Sequence, residues 1–267
     1  MIKMIVCLLL SSLFPASLPA QQKDSLRTEA ISSGKEYNSF ELKAHAQTEP
    51  FPYKKMVIPA LFIAYGSIAL ENDGLLSLDN SINEKVWTEN PHAPNHFDDY
   101  LQYVPALSVY GLNVMGIKGK NSFRDRTALY LLSSSLMAIT VQATKRITRL
   151  PRPSGEGYNA FPSGHTATAF VGAEFLHQEY KDQSPWYGMA GYAMAAMVGY
   201  MRIYNNRHWF RDIVAGAGIG MGITKLVYWA YPSVKKAFFR DKSVHTLIMP
   251  YYQNGSSGIA LFYTFNK

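Results

Sequence analysis

The stretch Met201–Asp212, MRIYNNRHWFRD, places an arginine, a histidine and an aspartate where one phosphoryl group could meet all three side chains. Five residues separate Arg202 from His208, and three separate His208 from Asp212. If the segment continues as a helix into the apolar run that follows, this spacing puts the imidazole and the carboxylate on one helix face. A carboxylate there can hold the ring in one tautomer and stabilise its charged form, although a histidine near a helix start more often has only a structural role.

Two upstream stretches strengthen the functional interpretation. The residues FPSGH, Phe161–His165, precede a predicted helix whose first-turn N–H groups would be free to bind an anion. The residues KRITRLPRP, Lys145–Pro153, supply Lys145 and Arg152 across a gap of six residues. A lysine and an arginine together offer the point charge and the bidentate donor that phosphate favours.

In this order, the three stretches resemble the type 2 phosphatidic acid phosphatase family, whose signature is K-x6-R-P, then P-S-G-H, then S-R-x5-H-x3-D. The matching positions are Lys145, Arg152, Pro153, Pro162, Ser163, Gly164, His165, Arg202, His208 and Asp212. Met201 stands where the family usually has serine, a position peripheral to the chemistry. The resemblance covers residues 100–232, and several fixed spacings make a chance match an unsatisfactory explanation.

The resemblance implies a role for each matched polar residue. His208 would attack phosphorus to form a phosphohistidine, Asp212 would orient it, and His165 would protonate the leaving group and later activate water. The implied phosphate-binding residues are Lys145, Arg152, Ser163, Gly164 and Arg202. No metal or other cofactor is implied.

Four more arginines lie near the motifs but outside them, and we interpret them as contributors to the electrostatic field or as headgroup contacts. They are Arg146, Arg149, Arg207 and Arg211.

Composition is typical of a basic, partly apolar chain with one substantial domain. Of 267 residues, 48% are hydrophobic and 17% charged, and the formal net charge is +7. A mean hydropathy of −0.10 is low for a chain that crosses a bilayer many times, so long polar segments must dilute the apolar ones. The charge favours phosphorylated lipid or an anionic leaflet over nucleic acid as a partner. Cys7 is the single cysteine, so no disulfide can form within the chain.

The chain order predicts four segments. Residues 1–20 read as a signal peptide or an uncleaved N-terminal anchor, and residues 21–55 as a polar arm. Residues 56–242 would form the helical phosphatase domain. The tail, residues 243–267, has two strand-like runs around Asn254–Gly255, which predicts a short β-hairpin.

Six apolar segments predict an all-α bundle of about six core helices, embedded in a membrane. They are Met56–Leu70, Leu101–Ile117, Thr127–Ala143, Phe161–Tyr180, Trp186–Met201 and Ile213–Tyr231. Most are at or below bilayer-spanning length, so buried helices of a soluble bundle are the alternative interpretation. In the last run, glycines alternate from Gly216 to Gly222, which predicts close helix contacts.

The predicted topology contains a conflict. If the helix ending at Lys145 leaves the cytoplasm, the basic link Lys118–Arg126 lies inside, as the positive-inside rule expects. Counting back through two more crossings also puts Lys54 and Lys55 inside, whereas a cleaved signal would put them outside. The positive-inside rule and a cleaved signal are compatible only if one of the early apolar runs, such as the short Met56–Leu70, does not cross the membrane. An inner-membrane location with the active site facing the periplasm remains the expectation.

Residues 71–100 are predicted to form a polar loop, and it contains a possible metal motif. His92 and His96 have a suitable spacing for metal ligands, with Asp98 and Asp99 close behind. The histidines lie among Pro91 and Pro94 rather than on a predicted helix, so their rings need not share a face. A site without metal is therefore the favoured interpretation.

These observations favour a metal-independent phosphatase acting on a membrane lipid phosphate, with an undetermined oligomeric state. The central region is similar to lipid A 4'-phosphatases, which implies lipid A dephosphorylation. Undecaprenyl-diphosphate hydrolysis is the second hypothesis, and a soluble periplasmic non-specific acid phosphatase is the third. A vestigial site or a vanadate-dependent halide oxidation centre is a further alternative, although every motif histidine is present.

Overall fold

The computed structural model describes residues 50–238, 246–253 and 256–263, and side chains as far as Lys236. Its helices and strands, in chain order, are α1 (Tyr53–Ile68), α2 (Asp73–Asn83), α3 (Phe97–Leu101), α4 (Val104–Val114), α5 (Phe123–Thr148), α6 (Gly164–Tyr180), α7 (Pro185–Tyr204), α8 (Phe210–Phe238), β1 (Thr246–Gln253) and β2 (Ser256–Tyr263). A π-helical turn, Glu84–Thr88, directly follows α2. The predicted signal or anchor, and residues 21–49 of the predicted arm, lie outside the described residues.

The predicted all-α class is confirmed, since each of the six apolar segments contains a helix. Polar residues set several of the helix starts. Ser122 accepts a hydrogen bond from the Asp125 N–H at the start of α5, and Ser184 accepts one from the Trp186 N–H at the start of α7. Such caps satisfy N–H groups that have no partner inside a helix.

The prediction of a polar loop over residues 71–100 is wrong, because α2, the π-helical turn and α3 lie within it. Asn72 caps α2 by accepting a hydrogen bond from the Leu75 N–H at 3.1 Å. Asp79, on the same helix, is buried and pairs with Arg211 far along the chain. The partner that holds this helix in place is therefore distant in sequence, which a local pattern does not reveal.

Helix α6 lies at the centre of the helical bundle. Ala167, Ala169, Ala173 and Phe175 are fully buried along its length. One part of the core joins α6 to α7 and to the end of α3, through Leu101, Ala169, Ala173, Ala195 and Val198. A helix buried on every side gives a fixed support for residues at its N-terminus, where the FPSGH stretch lies.

The alternating glycines of α8 make the close helix contacts that the sequence predicts, and the structure shows that two different helices are involved. A Cβ at Gly216 would lie 2.6 Å from the carbonyl oxygen of Ser163, and one at Gly220 would lie 2.5 Å from that of Ala167. A Cβ at Gly218 would instead lie 2.8 Å from the carbonyl oxygen of Pro59, in α1. Small residues let helix backbones approach this closely.

Replacing Gly220 with alanine is expected to destabilise the bundle by about 1–3 kcal/mol, because the methyl group meets backbone atoms that cannot move aside cheaply. Gly111→Ala is the matched control, since a Cβ at Gly111 meets no described atom within 4 Å. Thermal unfolding of the detergent-solubilised protein measures both. Equal melting temperatures for the two variants would contradict the close packing of α8 on α6.

Two of the described helices are long and apolar enough to cross a membrane, namely α5 and the Phe210–Lys236 part of α8. The segments Tyr53–Ile68 and Asp73–Thr88 satisfy the same criterion only as a pair, and they are bent by 93°. Leu131, Leu132, Leu136 and Ile139 are exposed on α5. An apolar surface of this kind suits contact with lipid.

The chain divides after Val227 into two compact units. The second unit contains the end of α8 and a two-stranded antiparallel sheet, in which Gln253 pairs with Ser256 and Thr246 with Tyr263. The predicted antiparallel pairing of two strands in the tail is confirmed by this register. The proposed boundaries of the helical domain and the tail stay a prediction.

Candidate active site

The motif residues meet at one end of the helical bundle. They lie at the end of α5, the start of α6, the end of α7 and the start of α8. The Ser163 N–H donates to the carbonyl oxygen of Asp212 at 3.0 Å, which joins α6 to α8. The Trp209 indole donates to the carbonyl oxygen of Pro151 at 3.1 Å, which fixes the link that follows α5.

His208 and Asp212 form the pair that the i, i+4 spacing predicts. Nδ1 of His208 lies 3.3 Å from Oδ2 of Asp212, and the two side chains are 2% and 0% exposed. The Trp209 N–H donates to the same carboxylate oxygen at 3.0 Å. With Nδ1 donating to Asp212, the neutral ring keeps its lone pair on Nε2. Burial lowers the pKa of His208 to about 4 although Asp212 opposes this shift, so the ring is neutral near pH 7.

Lys145 and Arg152 converge on one residue of the link between α5 and α6. Nζ of Lys145 donates to the carbonyl oxygen of Asn159 at 2.7 Å, and Nε of Arg152 donates to its side-chain oxygen at 2.8 Å. Burial, followed by the charge of Arg202, lowers the pKa of Arg152, which still remains a cation near pH 7. The predicted anion-binding cations are therefore brought together.

Ser163 and Gly164 form the start of α6. The Ser163 hydroxyl is buried, lies 2.9 Å from the Thr166 hydroxyl, and accepts from the Thr166 N–H at 3.4 Å. This hydroxyl is thus the N-cap of the helix. The N–H groups of Gly164 and His165 have no acceptor within an α-helix, so the backbone of this turn can bind an anion.

Asp98 is a residue of the site that the sequence interpretation missed. It is fully buried on α3, and its Oδ2 accepts from Nη1 of Arg202. Its Oδ1 accepts from the Asn205 amide at 3.1 Å. The Asp98–Arg202 pair fixes Arg202 at the end of α7. In the sequence, only the two adjacent acids of the FDD stretch hint at this pair.

Asp99, the next residue, contacts the second motif histidine. Nε2 of His165 donates to Oδ1 of Asp99 at 2.8 Å, and Nδ1 of His96 lies 3.2 Å from Oδ2. Burial, and then the charge of Arg202, lower the pKa of His165, while Asp99 acts in the opposite direction. Burial raises the pKa of Asp99, but hydrogen bonds from His165 and His96 outweigh it, and the net shift is downward.

Asp98, Asp99 and His165 are close enough to hold a metal ion, with ligand atoms within 4.8 Å of one another. Donors already contact the two carboxylates, however, and Nε2 of His165 is one of these donors. In addition, Nη1 of Arg202 lies 3.6 Å from Oδ1 of Asp99. A guanidinium in that place disfavours a second cation by charge repulsion.

His92 and His96 each have other partners, which disfavours the alternative of a metal ion held by this pair. Both ring nitrogens of His92 contact carbonyl oxygens, those of Asn90 and Tyr204. His96 instead contacts Asp99. The favoured interpretation, a site without metal, is unaffected.

The interpretation of Arg211 as a headgroup contact is wrong. Arg211 is buried, its N–H donates to Asp79 at 3.1 Å, and its Nη1 donates to the same carboxylate at 2.5 Å. This pair holds α2 against the first turn of α8, where Asp212 lies. Arg207 pairs instead with Glu156, at 2.9 Å on the surface.

A family model and a curated protein are similar to the chain. Residues 126–236 match the model of the PAP2 superfamily. The chain is 35% identical over 181 residues to the lipid A 1-phosphatase of Porphyromonas gingivalis, an alignment that covers 67% of this chain and 40% of that protein. The chain thus spans less than half the length of this curated relative.

Two solved structures are similar to the chain. The transmembrane PAP2-type phosphatidylglycerolphosphate phosphatase of Bacillus subtilis matches with a TM-score of 0.51 and 23% identity, over 69% of this chain and 98% of that one. This likeness supports the helical fold. Aquifex aeolicus LpxE matches with a TM-score of 0.44 and 23% identity, over 57% of this chain and 93% of that one.

Proposed function

Since residues 126–236 match the model of the PAP2 superfamily, we propose that the chain is a phosphatase that hydrolyses a membrane lipid phosphate through a phosphohistidine intermediate. Lipid A is the substrate we favour. The observation that carries the proposal is the buried His208–Asp212 pair, set among Lys145, Arg152 and Arg202, with a second histidine at the same end of the bundle.

In the first step, Nε2 of His208 attacks phosphorus, and the bond from phosphorus to the leaving oxygen breaks. Asp212 accepts from Nδ1 and stabilises the positive charge that the ring acquires. His165 transfers its proton to the leaving oxygen, which departs as an alcohol. The product of this step is a phosphohistidine together with the dephosphorylated lipid.

During this transfer, negative charge is spread over the three equatorial phosphoryl oxygens. Lys145, Arg152 and Arg202 supply fixed positive charge, and the N–H groups at the start of α6 supply backbone donors. Removing one such donor is expected to cost about 3 kcal/mol of transition-state stabilisation, roughly two orders of magnitude in rate. These groups perform the charge neutralisation that the reaction needs, so we propose that it proceeds without a metal.

The second step returns the enzyme to its starting state. His165, now neutral, accepts a proton from a water molecule as that water attacks phosphorus on the phosphohistidine. The bond from phosphorus to His208 breaks, and inorganic phosphate leaves. Burial lowers the pKa of His165, which favours the neutral form that accepts a proton in this step.

A lipid substrate is supported by the exposed apolar side chains of α1, α4 and α5 and by the two helices of spanning length. We propose that the catalytic end of the bundle faces the periplasm from the inner membrane. At 16 residues, α1 is about 24 Å long, short of a bilayer core. A bent α1–α2 pair that enters the membrane and returns would remove the conflict between the signal and the positive-inside rule.

The lipid A assignment is supported by the Porphyromonas gingivalis relative, whose name is lipid A 1-phosphatase. The sequence resemblance pointed instead to enzymes acting on the 4'-phosphate. Both reactions transfer a phosphoryl group from a sugar oxygen of the same lipid. The proposal is therefore lipid A dephosphorylation, with the position of the phosphate left to experiment.

The pKa shifts predict an unusually acidic pH profile for kcat/KM. His208 must be neutral to attack, and its pKa of about 4 places the acid limb near pH 4 rather than near 6.5. His165 must be protonated, and its lowered pKa makes activity fall as pH rises through a value below 6.5. Initial rates of phosphate release across buffers of constant ionic strength give both limbs. An acid limb at 6.5 or above would contradict the burial of His208.

The direct test of function is phosphate release by the purified full chain with EDTA present. Lipid A, undecaprenyl diphosphate and a soluble aryl phosphate serve as substrates in the same detergent. Release from lipid A supports the proposal. Preference for undecaprenyl diphosphate, or activity on the aryl phosphate alone, would reject lipid A as the substrate. No phosphate release from any of the three compounds would favour a vestigial site.

A further inference from the structure

Asp99 contacts the nitrogen of His165 that would protonate the leaving group in the proposed mechanism. The Nε2 proton of His165 is donated to Oδ1 of Asp99 at 2.8 Å. A general acid has to reach the leaving oxygen within hydrogen-bond distance. When substrate binds, that oxygen must accept the proton now donated to Asp99, so the leaving group and the carboxylate become immediate neighbours.

We propose that Asp99 makes the enzyme selective for lipid phosphates with a neutral leaving group, against diphosphates whose leaving group is itself an anionic phosphate. The inference rests on the proposed phosphatase function and on His165 as its acid. It concerns the leaving group alone, and so it is separate from the attack by His208.

A cavity of about 460 Å³ opens beside these two residues. It is lined on one side by Asp99 and His165 and on the other by the α5 residues Met137, Val141 and Gln142. Among the residues that the structure describes, no lysine or arginine lines it. The cavity is therefore suited to a leaving group that carries both polar and apolar parts and no negative charge.

The cations of the site lie elsewhere. Arg202 is held by the buried carboxylate of Asp98, and Lys145 and Arg152 contact Asn159 in the link after α5. These charges serve the phosphoryl group that is transferred. An anionic leaving group would lie next to Asp99. The Arg202 guanidinium, 3.6 Å from Oδ1, offsets part of the repulsion, and the charge of a protonated His165 is lost once it has given its proton to the leaving oxygen.

A leaving sugar fits these features better than a leaving phosphate. Gln102, which donates to the Asp99 carbonyl oxygen at 2.8 Å, and Gln142 place amide groups at the cavity that suit hydroxyl and amide substituents. Tyr103 and Ala138, which also line the cavity and are exposed, offer apolar surface for attached acyl chains. An acylated sugar has these groups together, which connects the cavity to the proposed glycolipid substrate.

The experiment compares a prenyl monophosphate and a prenyl diphosphate of equal chain length, which differ in the charge of the leaving group. The wild-type full chain is expected to show the higher kcat/KM for the monophosphate. In Asp99→Asn, the diphosphate-to-monophosphate ratio of kcat/KM is expected to rise roughly tenfold or more, because a like charge beside the leaving group is removed.

Asp182→Asn is the matched control. It removes an exposed carboxylate just after α6, about 25 Å from His165 along a helix of 17 residues, and should leave the ratio unchanged. An unchanged ratio in Asp99→Asn, or a wild-type preference for the diphosphate, would overturn the inference while the phosphatase function stands. No hydrolysis of either lipid or of lipid A by the wild type would instead reject the function itself.

If Asp99→Asn is inactive on both lipids, binding replaces turnover as the measurement. The affinities of the two lipids are compared in His208→Ala with and without the Asp99→Asn change. The Asp99→Asn change is expected to raise the affinity for the diphosphate relative to the monophosphate roughly tenfold or more. An equal affinity ratio in the single and the double variant would reject the role of Asp99.

Discussion

Replacing His208 with alanine is expected to lower kcat for phosphate release by roughly 10⁴-fold or more, because the reaction then has no nucleophile. The side chain is 2% exposed, and its hydrogen bond to Asp212 leaves Nε2 as the attacking atom. Steady-state rates on lipid A, together with the thermal unfolding of the variant, measure the effect and the integrity of the fold.

His177→Ala is the control for the loss of an imidazole. His177 lies on α6, twelve residues or about 18 Å beyond His165, and the proposed mechanism gives it no role. Its variant should retain near-normal turnover. Full activity of a folded His208→Ala protein would remove His208 as nucleophile.

The second large effect is expected for Asp212→Asn. The Trp209 N–H and Nδ1 of His208 both contact Oδ2 of Asp212. An NH₂ group in that place would donate to Nδ1 and lose the bond from Trp209, whereas an amide oxygen there would keep both contacts without the negative charge. In the first arrangement the ring has its proton on Nε2 and no lone pair directed at phosphorus, and in the second the charged ring loses the stabilisation that the carboxylate gives it. By analogy with the same change in serine protease triads, kcat should fall about 10⁴-fold with the fold intact.

The double variant distinguishes this account from a general disturbance of the site. If Asp212 acts only through His208, Asp212→Asn should add no further loss in the His208→Ala background. A double-mutant cycle compares the steady-state kcat of the wild type, the two single variants and the double variant. Losses that multiply would mean that Asp212 has an independent role.

The sequence predicts the helices and the motif residues well because the signals are local or have a fixed spacing. The apolar runs become helices, and the short separation of His208 from Asp212 brings their side chains together without help from the rest of the fold. Alternation of Gly216, Gly218, Gly220 and Gly222 likewise predicts close contacts, since every second glycine faces a different helix in the structure.

The missed features are pairs between residues far apart in the chain. Asp98 and Arg202 are 104 positions apart, and Asp79 and Arg211 are 132 apart. An aspartate in a polar stretch is usually exposed, so only its distant partner shows that it is buried. For the same reason the contact between Asp99 and His165 could not be read from the FDD sequence.

Buried pairs of this kind also explain why α2 and α3 form in a stretch that is predicted to be a loop. Removing one member of a buried pair leaves an uncompensated charge and costs about 3–5 kcal/mol. Arg211 therefore holds α2, and Arg202 holds α3, in their places beside the site. Local propensity is weak in these short polar helices, and tertiary contacts decide their structure.

The central claim is a phosphohistidine at residue 208, and trapping it is the most direct test. The full chain is mixed with lipid A labelled with ³²P, quenched during turnover, digested, and analysed for labelled peptides. The account predicts label that is stable to alkali and labile to acid, located on the peptide containing His208 and absent from the His208→Ala protein. Label on another residue, or hydrolysis without any labelled enzyme in rapid-quench samples, would contradict it.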